Sequence, residues 1–316
     1  MKKRIFSLIL PLLLLAGCTP AQPTDELTVV ATTYPVYLFA TAVTEGVDGV
    51  RVERLNTGET SCLHDYTLSV TDMKLLERAD VIVMSGAGLE DFLEDALATS
   101  DAAVIDCSKG VALLENLSHH HDEHDHSHDG HDHGHFDPHI WMSADNAVIM
   151  LSNAAEGLKN LDAGHAELYE HNLSAALEQL CGGERSLATE RLLAQAVGHT
   201  SLDGVCTNTG IITFHDGFQY FVRDMELELL EAIEEEAGSE ASAHEIKEIS
   251  ELVKEQSIPA IFTEKNGSAA TANAIARETG CKVYALDMIM SGEGSGIQPY
   301  IDAMTYNIQT VAEAMK

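Results

Sequence analysis

The chain has 316 residues, with 51 Asp and Glu against 18 Lys and Arg, and a formal charge of −33. So acidic a surface excludes the phosphate backbone of a nucleic acid as partner and favours cations. The length suits two domains or one large one.

Lys2, Lys3 and Arg4 precede an apolar run over residues 5–15 that Pro11 interrupts and that is too short to span a bilayer. The run ends in Leu15-Ala16-Gly17-Cys18, which resembles a lipoprotein lipobox, with Cys18 as the lipidated first residue of the mature chain. Residues 1–18 therefore read as signal peptide and lipobox, and the Pro-containing residues 19–26 as a tether. This reading puts the protein outside the cell, held by lipid at the outer face of the cytoplasmic membrane. Loss of the three leader cations takes the charge from −33 to −36. With Cys18 lipidated, Cys62, Cys107, Cys181, Cys206 and Cys281 remain, an odd number that excludes a disulfide scaffold. Whether Cys181 pairs with Cys206 stays open.

Residues 27–163 read as an N-terminal α/β lobe. Short β-branched strands are predicted over 27–33, 50–55, 81–84 and 103–106, with helices over 36–44, 72–78 and 89–97. Continuous apolar strands separated by helices imply a parallel sheet covered on both faces.

Residues 118–135 interrupt that pattern. Nine of the 16 histidines fall here, His119, His120, His121, His124, His126, His128, His131, His133 and His135. Asp122, Glu123, Asp125, Asp129 and Asp132 are interleaved with them, and no apolar residue is present from 119 to 135. Such a run cannot bury surface to offset the entropy of ordering itself. It reads as an auxiliary loop that collects metal weakly through imidazole and carboxylate. Phe136-Asp137-Pro138-His139-Ile140-Trp141 follows at once and reads as ordered structure.

A helix over 146–161 leads into a linking helix over 164–196, a spine of about 45 Å that Gly182-Gly183 is placed to kink or break. Residues 197–316 form a C-terminal α/β lobe with strands over 210–214, 227–230, 260–263 and 282–286. Ser242 and Glu245 form a capping box, Gly280 closes the helix over 269–278, and a last helix runs over 300–315. The fold class is α/β, two mainly parallel sheets flanked by helices and joined by a long rigid helix, with the ligand in the interlobe cleft at the strand C-terminal ends.

Four isolated side chains fall just after a strand or in a loop: His64, His139, His215 and Asp287. Three imidazoles and one carboxylate suit tetrahedral zinc. Asp65 and Asp216 are candidates to orient the imidazoles. Cys62, two residues from His64, is an alternative thiolate donor or a plain thiol. Glu264 reads as a cleft residue or a structural acceptor, the second preferred, and His165, His171, His199 and His244 as surface or helix residues.

His64-Asp65-Tyr66, Asp137-Pro138-His139-Ile140-Trp141, Phe214-His215-Asp216-Gly217-Phe218 and Leu286-Asp287, in that order, resemble the metal-binding solute-binding lipoproteins of bacterial ABC importers. The acidic His-rich loop resembles their zinc branch and not the manganese branch. The resemblance implies two α/β lobes, a rigid linking helix, a metal in the cleft and a membrane permease as partner. The chain departs from that pattern at Leu63, at Val70-Thr71 and at Met288, none of them a primary ligand. The expectation is a monomer that captures Zn²⁺, with Mn²⁺ as second choice, and hands it to an ABC permease; it is not an enzyme. Two other readings are a zinc hydrolase using the same ligands and a surface metal buffer or adhesin.

Overall fold

The computed structural model describes residues 26–55, 63, 66–116, 135–206, 208–234 and 242–316, apart from the side chains of Ser186 and Glu234. Cys18, Cys62, His64, Asp65 and the loop histidines from His119 to His133 lie outside the described residues.

The N-terminal lobe contains β1 (Leu27–Ala31), α1 (Tyr34–Val43), β2 (Val50–Arg54), α2 (Val70–Glu77), β3 (Val81–Met84), α3 (Glu94–Leu97) and β4 (Ala103–Asp106). Helices α4 (Ala144–Leu161), α5 (Ala166–Cys181) and α6 (Ala188–Val197) follow. The C-terminal lobe contains β5 (Gly210–His215), α7 (Gln219–Asp224), β6 (Glu228–Glu234), α8 (Ala243–Glu255), β7 (Ala260–Glu264), α9 (Ala270–Thr279), β8 (Lys282–Leu286) and α10 (Gln298–Ala314). Each lobe has a four-stranded parallel sheet, ordered β2-β1-β3-β4 and β6-β5-β7-β8, so both use one strand order. Parallel pairing requires crossover connections, whose helices cover the faces, and leaves the strand C-terminal ends to carry the loops.

The local chemistry explains where elements begin. Pro35 lies in the first turn of α1, where its missing N–H costs nothing. Helix α2 starts at Val70, two residues before the predicted start, because Ser69 and Asp72 form a capping box. The helix expected over 89–97 is a 3₁₀ turn followed by the single turn α3. Glu90 explains this, because its carboxylate turns inward to accept Ser85 N–H at 2.7 Å and Gly86 N–H at 3.0 Å. A side chain that binds backbone donors in this way competes with helix formation.

The single linking helix expected over 164–196 is not observed. Helix α5 ends at Gly182 (φ 66°), Gly183 (φ 79°) continues the left-handed turn, and α6 starts afresh at Ala188. Left-handed backbone closes a helix cheaply only at glycine. The two lobes are instead joined by a packed layer in which α10 lies on α6 and α4 lies on both α1 and α5. Its buried residues, among them Phe39, Trp141, Leu151, Leu177, Leu192, Tyr300 and Ile308, make one core shared by both lobes. Polar contacts also cross between the lobes. Tyr34 Oη donates to the Glu293 carbonyl at 2.7 Å, Gly296 N–H donates to Thr41 Oγ1 at 2.8 Å, and Tyr300 Oη donates to the Trp141 carbonyl at 2.8 Å. Cys181 and Cys206 are both free thiols, which answers the pairing question.

Candidate metal centre

His139 and His215 reach the same point from opposite lobes. His215 is the last residue of β5, and His139 lies in the Asp137-Pro138-His139 turn just before the 3₁₀ turn that leads to α4. Both are buried, each about 3% exposed. Their Nε2 atoms lie 3.3 Å apart, with the rings nearly perpendicular. Zn–N bonds of about 2.0–2.1 Å at the tetrahedral angle separate two nitrogens by roughly 3.3–3.4 Å, so the observed spacing equals one edge of a zinc tetrahedron.

Buried carboxylates lie behind both rings, one hydrogen-bonded to His139 and the other at ion-pair distance from His215. Asp137 Oδ1 lies 2.8 Å from His139 Nδ1 and also accepts the His139 backbone N–H at 2.8 Å. Glu264, the last residue of β7, places Oε1 3.5 Å from His215 Nδ1. The hydrogen bond between His139 Nδ1 and Asp137 favours a proton on Nδ1 and leaves the Nε2 lone pair for the cleft, as metal-binding imidazoles need. Asp137 Oδ2 is buried with no hydrogen-bond partner among the described residues, which adds negative potential at the site. Burial disfavours a charged His139, but the hydrogen bond and charge of Asp137, with Asp216 and Glu264 behind them, hold its pKa above the ordinary value. A site that favours a proton on imidazole favours a metal cation for the same electrostatic reason.

Among the described residues, the carboxylates behind the two rings are Asp137 and Glu264. Asp65 lies outside the described residues, and Asp216 accepts from Gln219 Nε2 at 3.1 Å. Glu264 faces His215 and is not remote from the site. Asp137 sits two residues before His139, and Glu264 ends the strand beside the one that ends in His215. Both positions were open to a reading of spacing and strand ends. Asp137 opens the Asp137-Pro138-His139 motif, whereas Glu264 carries none.

Trp141 is fully buried, its ring 5.3 Å from that of His139, and its Nε1 donates to the Met288 carbonyl at 2.9 Å. A Cβ built on Gly217 would fall 2.5 Å from Met288 Cε, 2.8 Å from His215 Cδ2 and 3.1 Å from His139 Cδ2. Only a glycine lets the chain pass that close to both rings.

Asp287, just past β8, is placed differently. Its Oδ2 is 3.1 Å from Lys265 Nζ and its Oδ1 accepts Ile289 N–H at 2.8 Å. It lines a cavity of about 380 Å³ together with Tyr34, Lys265 and Tyr306. Among the described residues no group of three His, Cys, Asp or Glu converges as a metal-holding set. Of the loop histidines only His135 is described; it is exposed, and its carbonyl accepts Asn116 N–H at 3.2 Å.

Two parallel-sheet lobes, with one imidazole from each meeting between them, define a bilobal α/β protein that brings two ring nitrogens together. The chain belongs to the ZnuA family, zinc-uptake complex component A periplasmic, whose model matches residues 29–314. A zinc-binding lipoprotein, AdcA, of Streptococcus pneumoniae serotype 4 is 28% identical over 308 residues, 95% of this chain and 58% of the relative. The chain thus spans little more than half the length of such relatives. A putative metal-binding protein of Treponema pallidum is 26% identical over 254 residues, 79% of this chain and 76% of its own. A crystal structure of ZnuA superposes with a TM-score of 0.74 at 26% identity, covering 92% of this chain and 100% of that one. The laminin-binding protein Lmb of Streptococcus agalactiae, at 24% identity and a TM-score of 0.73 over 92% and 100% of the two chains, shares the fold.

Proposed function

We propose that the protein captures Zn²⁺ outside the cell and delivers it to an ABC permease, with His64, His139, His215 and Asp287 as the candidate ligand set. The observation that carries this reading is the 3.3 Å approach of two buried imidazole nitrogens, each backed by a carboxylate. Membership of a zinc-uptake family and the zinc-binding names of relatives support it. Glu264 is the buried carboxylate that faces His215. Its place on His215 favours a role in orienting the ring, and so favours binding over hydrolysis.

In this reading the loop over 118–135 gathers zinc through exchanging, weak sites and the cleft holds it tightly. The lipid on Cys18 keeps the monomer beside the permease. Metal content of the purified chain by mass spectrometry without denaturation should show one tightly held zinc, and deletion of the loop should leave it in place. His64→Ala, His139→Ala and His215→Ala should each weaken zinc strongly in competition with a chromogenic chelator, and Asp287→Ala less. Unchanged affinity in all three histidine variants would refute the site. Cys18→Ala should release the protein from the membrane fraction or leave an uncleaved precursor.

A further inference from the structure

Asp287 is the only carboxylate in the candidate ligand set, and both of its oxygens are engaged within the C-terminal lobe. Lys265 Nζ approaches Oδ2 at 3.1 Å, and Ile289 N–H donates to Oδ1 at 2.8 Å. The lysine is itself held. Its ammonium lies 4.6 Å from the centre of the Tyr306 ring, and its backbone N–H donates to the Leu286 carbonyl at 2.8 Å. That backbone bond fixes the end of β7 to the end of β8, so residues 265 and 287 are neighbours by construction. Ile289 adopts φ 59°. A β-branched residue enters left-handed backbone only under constraint. Here the constraint aims its N–H at Asp287 while Trp141 holds the preceding carbonyl, that of Met288.

We propose that Lys265 is a specificity residue: its ammonium withholds the Asp287 carboxylate from the cleft and leaves a nitrogen-dominated site that selects Zn²⁺ against harder cations. The inference rests on the zinc-binding reading above. Adjacent residues divide the work. Glu264 orients a nitrogen donor toward the metal, and Lys265 restrains the oxygen donor. Imidazole suits zinc, whereas Mn²⁺ depends on carboxylate and water oxygens. An intramolecular cation on Asp287 therefore penalises Mn²⁺ more than Zn²⁺, which can complete its tetrahedron with water. Lys265 is half exposed, so the pair is screened and its effect is modest, about two- to fivefold in affinity.

The test uses the full chain and three variants, Lys265→Met, Asp287→Asn and the double variant. Zn²⁺ affinity is read by chelator competition, and Mn²⁺ affinity by loss of the free-ion electron paramagnetic resonance signal. Lys265→Met should tighten Mn²⁺ about two- to fivefold, change Zn²⁺ by less than that, and lose its effect in the Asp287→Asn background. Equal changes for both metals, no change for Mn²⁺, or a gain that survives Asp287→Asn would overturn the proposal while leaving zinc binding standing. A wild-type chain that binds no zinc at all would overturn both readings.

Discussion

At the scale of single residues, buried carboxylates set the chemistry. Removing Asp137 or neutralising Glu264 leaves both imidazoles present but no longer held in the tautomer and orientation that direct Nε2 into the cleft. Partners of this kind are commonly worth about 10–100-fold in metal affinity. Asp137→Ala and Glu264→Gln should each weaken zinc by about that factor in chelator competition, with the circular dichroism of the fold unchanged. Glu90 shows the same physics away from the metal. Burial pushes its carboxyl up to about 7, against the hydrogen bonds from Thr32, Gly86 and Ser85 that favour its charged form. A folded value above the unfolded 4.5 means that the native chain holds this proton more tightly. The resulting stability is complete below pH 4.5 and is lost as pH rises through 7. Glu90→Gln removes the titration and leaves all others in place. Between those pH values the thermal midpoint of the wild type should therefore fall relative to that of the variant, measured in parallel scans. Parallel profiles would mean that Glu90 stays ionised.

At the scale of elements, the chain is most legible where hydrophobic pattern and end signals agree. The eight strands among the described residues and the capping box at Ser242 lie close to where the apolar runs and cap residues put them. What sequence left hidden came from contacts that hydrophobic pattern does not encode. Glu90 dissolved an expected helix, and the reach of β6 to Glu234 depends on pairing with β5 across a register shift. Of the candidate site, His139 and His215 were legible because they sit after strand and loop signals. The ion pair that engages Asp287 was not, because it joins the ends of two strands 22 residues apart. The break between α5 and α6 was signalled by Gly182-Gly183, but composition alone does not reveal which glycine is indispensable. In the structure both have positive φ, 66° at Gly182 and 79° at Gly183; a Cβ on Gly182 would also meet the movable tip of Arg191, so backbone strain is the main cost there. Gly182→Ala should cost about 1 kcal/mol or more in urea unfolding. Gly204→Ala, also at positive φ but with open space around it, should cost less.

At the scale of the whole molecule, the two lobes repeat one strand order and share one buried core, and the two imidazoles that meet between them come one from each. His139 belongs to the segment that enters α4, His215 to the central strand of the second sheet, and Tyr220 Oη ties them by donating to the Asp137 carbonyl at 2.9 Å. A ligand bound between them must therefore be released before either lobe unfolds. A ligand that binds only the native state adds RT ln(1 + [L]/Kd), about 2.7 kcal/mol at a hundredfold excess over Kd. For a chain of this size that corresponds to a rise in Tm of roughly 5 °C or more. Differential scanning calorimetry should show one transition that moves upward with Zn²⁺, and His139→Ala or His215→Ala should each abolish the shift although they lie in different lobes. Two transitions, of which zinc moves one alone, would mean that the metal is held by a single lobe. The meeting of the two imidazoles would then not be the binding centre.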